Sequence, residues 1–198
     1  MKKLIVLIGL LIGINTSAQD LKIGLTLAPT INFNKNFEKV NDDWVAIDNT
    51  GGLGWKGGLL ADYNFSGNYY VHSGLLIHSK NLGNDDFSQS LTTLEIPVAL
   101  KLRSNEVADN VHITGFFGGT FDLNVGAKKK LVGVEIQNID EFNKLGMSFM
   151  AGVGGEYDLD FGSIGVGLSY HLGFTDIDSR EGFKTKPKHL SIDFVFYF

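Results

Sequence analysis

Alternation of apolar and polar residues runs through most of the chain from Leu21 onward. "LKIGLTLA" puts Leu21, Ile23, Leu25 and Leu27 on one parity, and "LEIPVALKL" does the same with Leu94, Ile96, Val98, Leu100 and Leu102. A third stretch places Ile164, Val166, Leu168, Tyr170, Leu172 and Phe174 together. A period of two marks a strand with two unlike faces. It predicts eight strands: Leu21–Ala28, Gly54–Phe65, Tyr69–Lys80, Ser90–Arg103, Val111–Leu123, Leu145–Asp158, Gly162–Phe174 and His189–Phe198. No helical 3.6-residue stripe of any length accompanies them.

The two parities divide the charge completely. No apolar-parity position in these strands is charged, whereas the other parity carries Lys22, Lys56, Asp62, Lys80, Glu95, Lys101, Arg103, Asp122, Glu156, Asp158 and Asp193, with all five histidines. The gaps between strands alternate in length. Segments 32–53, 81–89, 124–144 and 175–188 are long, whereas 66–68, 104–110 and 159–161 are shorter than their neighbours. An up-and-down meander therefore gathers its long loops at one end. Even strand number, short turns at one end and long loops at the other describe a transmembrane barrel of the outer-membrane type. The predicted fold is all-β, an eight-stranded antiparallel up-and-down transmembrane β-barrel, with both termini on the short-turn, periplasmic side. The apolar face would meet outer-membrane lipid.

A soluble barrel would instead turn its apolar parity inward. There are too many apolar sites here to fit inside so small a barrel. Trp55, Phe65, Tyr69, Tyr157, Phe174 and Phe198 also stand on the apolar parity near strand ends, where interfacial aromatic girdles belong. The last strand, "HLSIDFVFYF", ends in an outward Phe198, which we expect to act as a membrane-assembly signal read from the periplasm by the outer-membrane assembly machinery.

The start of the chain fixes the route. Lys2 and Lys3, the apolar run Leu4–Ile14 and small residues around Thr16 and Ala18 have the anatomy of a cleaved signal peptide, residues 1–18. The run is too short for a spanning helix, which needs ~20 residues. Residues 19–198 then form one barrel domain exported to the bacterial outer membrane. Removing Lys2 and Lys3 from the 17 basic residues leaves 15 against 22 acidic, a net charge of −7, which argues against nucleic acid as a partner. The absence of cysteine removes disulfides, thiolate metal sites and thiol nucleophiles together.

Candidate chemistry is sparse. His171 and His189 fall at the same end of neighbouring strands, but two imidazoles do not make a closed metal site, and no metal or cofactor is expected. Ser169 and His171 share a face, yet same-strand i, i+2 neighbours lie ~6.6 Å apart at the backbone and no third group completes them; no catalytic residue is expected. Lys22, Lys56, Asp62, Glu95, Lys101, Arg103, Asp122, Glu156 and Asp193 project into the lumen, where unpaired buried charge costs several kcal/mol. They should form a charge network that plugs the barrel. Pro97 cannot donate to a ladder and predicts a bulge or kink in its strand.

The stretch "LTTLEIPVALKLRS", with the opening "LKIGLTLAP" and the terminal Phe198, resembles the PorT-like outer-membrane β-barrel family. The resemblance implies an eight-stranded barrel in the outer membrane, some relatives being linked to protein secretion, and carries no catalytic residue. A non-enzymatic barrel with a structural, interaction or envelope-assembly and secretion role follows, its external loops meeting other envelope or secretion proteins. The apolar residues Phe33, Phe37, Val40, Trp44, Val45 and Ile47 of the first long loop would fold onto the barrel mouth or onto a partner. The alternative is a small outer-membrane channel or transporter, for which the inward glycines 58, 74, 118, 152, 154, 165 and 167 leave room.

Overall fold

A computed structural model of the chain describes residues 20–47, 51–84, 87–131, 134–137 and 142–198. The expected signal peptide lies outside the described residues. Twelve strands follow one another: β1 Leu21–Phe33, β2 Lys35–Val40, β3 Asp43–Ile47, β4 Gly51–Ser66, β5 Tyr69–Asn84, β6 Phe87–Arg103, β7 Val111–Leu131, β8 Val134–Gln137, β9 Leu145–Leu159, β10 Gly162–Gly173, β11 Phe183–Lys186 and β12 Lys188–Tyr197. Eight of them, in the order β1, β4, β5, β6, β7, β9, β10 and β12, pair antiparallel around a closed ring.

Closure is made by the two ends of the sequence. Leu27 of β1 pairs with Phe194 of β12, Gly24 with Tyr197, and the Phe198 N–H donates to the Ile23 carbonyl at 2.9 Å. A closed ring leaves no strand edge, which a hydrocarbon surround requires because it offers backbone groups no water. All eight predicted barrel strands are present. Along β1, Thr26, Thr30 and Asn32 are buried while Leu25, Leu27 and Ile31 point outward. The same split recurs on β10, with Ser169 and His171 inside and Val166 and Leu168 outside. Trp55, Phe65, Tyr69, Tyr157, Phe174 and Phe198 all lie on the outer surface.

Short turns occupy one end. Between β4 and β5 the turn passes through Gly67 at φ 52°, and Asn64 Nδ2 donates to the Gly67 carbonyl at 2.7 Å. At the other end the long connections hold strands of their own. Asn41 and Asp42, at φ 50° and 68°, form the two-residue link of a β2–β3 hairpin, a tight turn that needs positive φ at both positions. This hairpin pairs with β11 in a separate three-stranded sheet. β7 runs on past the predicted Leu123 to Leu131 and turns back as β8, so that Lys128 pairs with Gln137. Apolar alternation stops where side chains leave lipid, although the hydrogen-bonded ladder continues.

Of the bulge or kink expected at Pro97, the bulge does not form. The β6–β7 ladder passes through Pro97 opposite Thr120 without a shift, and the irregularity falls instead at Thr92 and Thr93. On the other side, the β5–β6 pairing opens between Ser73↔Val98 and Leu76↔Glu95 but resumes in the same register. The Ser73 hydroxyl donates to the Pro97 carbonyl at 2.9 Å. The missing N–H is met by a local opening of the β5–β6 ladder, not by an inserted residue, and the Ser73 hydroxyl gives the Pro97 carbonyl a donor where the ladder is open.

Candidate functional site: the barrel lumen

Inward side chains of the eight strands divide into two polar groups at different heights. The group nearer the short turns centres on Lys101 of β6. Its ammonium donates to Asp62 Oδ2 of β4 at 2.6 Å, to Glu156 Oε1 of β9, and to the Tyr197 hydroxyl of β12 at 3.1 Å. Asp62 Oδ1 accepts from His72 Nδ1 at 2.6 Å. Two residues along β6, Arg103 donates Nε to Glu156 Oε2 at 2.9 Å and its terminal nitrogen to both Asp158 oxygens at 2.6 Å. The alternating pleat places Lys101 and Arg103 on one face, and antiparallel neighbours supply the carboxylates. Five of the nine residues expected in the lumen network, Asp62, Lys101, Arg103, Glu156 and Lys22, lie at this end. Lys22 sits half-buried opposite Asp62 in the β1–β4 register but forms no ion pair among the described residues.

The group nearer the long loops holds the other four. Lys56 Nζ of β4 lies 3.2 Å from Asp193 Oδ1 of β12, 3.3 Å from His171 Nε2 and 3.5 Å from the Ser169 hydroxyl. Ser169 and Ser191 are joined at 2.6 Å, and Ser191 donates on to Asp193 Oδ1 at 3.2 Å. Glu95 of β6 accepts from His78 Nδ1 at 2.6 Å and pairs with Lys80 at 3.2 Å, both on its Oε1. Asp122 of β7 stands directly opposite Glu95 and accepts from the Ser148 hydroxyl at 3.0 Å. Three histidine rings meet here: His189 stacks on His171 with centroids 4.0 Å apart and meets the edge of His78 at 4.5 Å.

Lys80, Asp158, His72 and His78 join these groups although they were not assigned to the network from sequence. All four lie on the polar parity, so the signal was present. What parity cannot give is height along the barrel, which decides which charges meet. Ser169 and His171 do not form a nucleophile and base pair: Ser169 bonds to Ser191, and the His171 ring stacks on His189.

Between the two groups lies a cavity of about 70 Å³ lined by Leu60, Leu76, Phe116, Met150, Gly165 and Gly167, among others. At ~10–15 Å³ per water by this measure, that is room for a few waters. Tyr197, Leu60 and Leu76 pack together below it. At the long-loop end, Ile177 packs against inward Leu91 and Ala127 with Phe142 beside it, so the β10–β12 connection reaches back across the mouth. Asp178 is fixed there by Arg180, whose side chain contacts both carboxylate oxygens at 2.9 and 2.6 Å. Burial raises the Asp178 carboxyl, but hydrogen bonds from the Arg180 side chain and backbone outweigh it and hold the group below its ordinary value. The first-loop sheet leaves Val40, Trp44, Val45 and Ile47 exposed, with Lys184 Nζ 3.7 Å from the centre of the Trp44 ring, while Phe37 is half-buried.

Residues 16–179 match the family described as outer membrane protein beta-barrel domain. Among solved structures, Neisserial surface protein A is similar, with 11% identity, a TM-score of 0.50, and 88% of this chain and 97% of that chain covered. OprG from Pseudomonas aeruginosa aligns at 11% identity over 90% of this chain and 97% of that chain, TM-score 0.47. Ail of Yersinia pestis aligns at 13% identity over 88% and 98%, TM-score 0.41. No curated protein matches the chain in sequence. The chain belongs to the outer membrane protein beta-barrel domain family, and its place is the bacterial outer membrane.

Proposed function

We propose that this outer-membrane barrel is a non-enzymatic protein that closes its own lumen and acts through the surfaces it presents outside the bilayer. One observation carries this: Asp62, Lys101, Glu156, Arg103 and Asp158 form a continuous chain of ion pairs from β4 through β6 to β9, across the short-turn end of the lumen. Eight strands leave an interior just wide enough for side chains to fill. Each carboxylate in the chain meets a cation, so opening a path there would strand buried charge.

The functional surface in this proposal is the long-loop end. The β2–β3–β11 sheet offers Val40, Trp44, Val45 and Ile47 to solvent, more apolar area than a solvated loop requires. It suits contact with another envelope or secretion protein, which would give the chain a structural or envelope-assembly and secretion accessory role. Export through a cleaved signal peptide, with both termini periplasmic and Phe198 facing the assembly machinery, completes the topology. The "LEIP" stretch supports placement with PorT-like members of the family. A second role, a small channel, draws its support from the cavity between the two polar groups and its glycine lining.

The chain has no cysteine, so single-cysteine variants report cleanly. A membrane-impermeant thiol reagent added to intact cells should label Trp44→Cys, and should leave Phe161→Cys in the β9–β10 turn and Thr114→Cys in the lumen unlabelled. Labelling of Phe161→Cys with Trp44→Cys protected would invert the orientation. Rapid labelling of Thr114→Cys would mean that the lumen is open.

A further inference from the structure

The polar group near the long loops contains more polar atoms than its own residues satisfy. Glu95 Oε2, Asp122 Oδ1, His189 Nε2 and His171 Nδ1 are all buried and have no hydrogen-bond partner among the described residues. Glu95 and Asp122 are 1% and 5% exposed and stand directly opposite each other in the β6–β7 ladder. Like charges at facing positions of a sheet repel, and Lys80 is bonded to only the Oε1 atom of Glu95. A buried polar atom with no partner costs about 1–3 kcal/mol, and four of them belong to this one group of side chains.

We propose that His78, Glu95 and His189 form a binding site for one divalent transition-metal ion of the zinc type. Their three ligating atoms lie within 4.8 Å of one another, and the three residues come from β5, β6 and β12. Two imidazoles and a carboxylate are an ordinary donor set for zinc, whose ligands stand at ~2.0–2.2 Å and hence roughly 3.4 Å apart. The site therefore needs an inward adjustment of about an ångström, within reach of side-chain rotation. Glu95 offers its free Oε2 and His189 its free Nε2. His78 turns toward the set the Nδ1 atom that bonds Glu95 Oε1 at 2.6 Å, a bond that metal binding would replace; Lys80 holds that same oxygen, and Thr30 lies 3.1 Å from His78 Nε2, contacts that orient the ligands from behind. His171, stacked on His189, and Asp122, opposite Glu95, stand next to the set with further unpartnered atoms.

The charge balance admits a cation. Glu95, Asp122 and Asp193 outnumber Lys56 and Lys80 in this group, whereas a dication near the short turns would meet Lys101 and Arg103 already bonded to every carboxylate. Glu95 and His171 also line the cavity, from which water could complete the coordination. The site goes beyond the proposed role of the barrel and holds whether or not the lumen conducts.

The test uses the untagged full-length barrel folded in detergent and stripped with EDTA. Zn²⁺ titration by calorimetry and metal analysis after desalting should give one ion per chain, and Co²⁺ in its place should give visible absorption bands of a histidine-ligated low-symmetry site. His189→Asn and Glu95→Gln should each weaken Zn²⁺ binding by more than the roughly 10–100-fold that loss of an outer-sphere contact costs. His112→Asn, near the short turns, should leave it unchanged. Each variant is checked for the folded, heat-modifiable gel band. No stoichiometric zinc on folded wild-type protein overturns the site without recourse to any variant. Binding that survives His189→Asn, or is lost equally in His112→Asn, overturns this assignment of ligands.

Discussion

The two ends of the lumen are built from the same residue types and end in opposite states. Near the short turns, Asp62, His72, Lys101, Glu156, Arg103 and Asp158 are joined pair by pair, and both oxygens of Asp62 and Glu156 are taken. Near the long loops, Glu95, Asp122, His171 and His189 each keep an atom without a partner. The difference traces to what β6 faces at each height. Lys101 pairs across to Phe116 and its side chain is free to reach carboxylates on β4 and β9, whereas Glu95 faces another carboxylate, Asp122, in direct register. A cation with no charge in register, free to reach acids on two other strands, makes a plug; an acid in register with an acid, ringed by imidazoles, makes a place for something else.

The largest expected effect comes from breaking the paired end. Lys101→Met leaves Asp62 and Glu156 buried with their shared cation gone, a loss of ~3–5 kcal/mol. Glu95→Gln should cost less than half as much, because it removes the repulsion with Asp122 while the amide oxygen still accepts from Lys80 and His78. Urea unfolding of both variants in lipid vesicles checks the order. Equal losses would erase the distinction between the two ends.

A smaller effect separates inside from outside. Ile192 of β12 faces lipid beside Leu168, one residue from buried Ser191. Ile192→Arg should cost ~2–4 kcal/mol near the midplane, and the same unfolding assay measures it. A charge tolerated there as well as in the lumen would contradict the assignment of faces.

The smallest effect lies above the mouth. Because Asp178 is held below its ordinary carboxylate value, its contribution is present above the unfolded pKa and fades as pH falls through the folded one. The 174–187 connection should therefore resist protease at pH 5 and loosen only below about pH 4. Arg180→Ala should move that loosening upward. A limited-proteolysis series across pH reads both outcomes, and loosening already at pH 6 in the wild type would show that another group holds the connection.

Parity made the barrel legible. Every barrel strand and every inward charge followed from a period of two, because lipid accepts no exposed charge and a closed ring needs no other information. The loop strands β2, β3, β8 and β11 were not legible, since outside lipid the side chains of a ladder carry no obligatory alternation. At Pro97 the missing N–H suggests a bulge or kink, and the structure instead opens the ladder to the adjacent strand locally, with the Ser73 hydroxyl of that strand donating to the Pro97 carbonyl. The His171–His189 neighbourhood was visible from strand ends. His78 and Glu95 were not placed beside it, because register between β5, β6 and β12 depends on how the ring closes and not on any local pattern.

Single-channel recording of the wild-type barrel in planar bilayers tests the closed lumen most directly. The ion-paired end predicts no unitary steps above the bare bilayer at neutral pH, and intermittent steps for folded Lys101→Met, in which the central cation of the plug is gone. Reproducible unitary conductance from the wild type, unchanged by Lys101→Met, would contradict the plug and leave the channel as the function of this barrel.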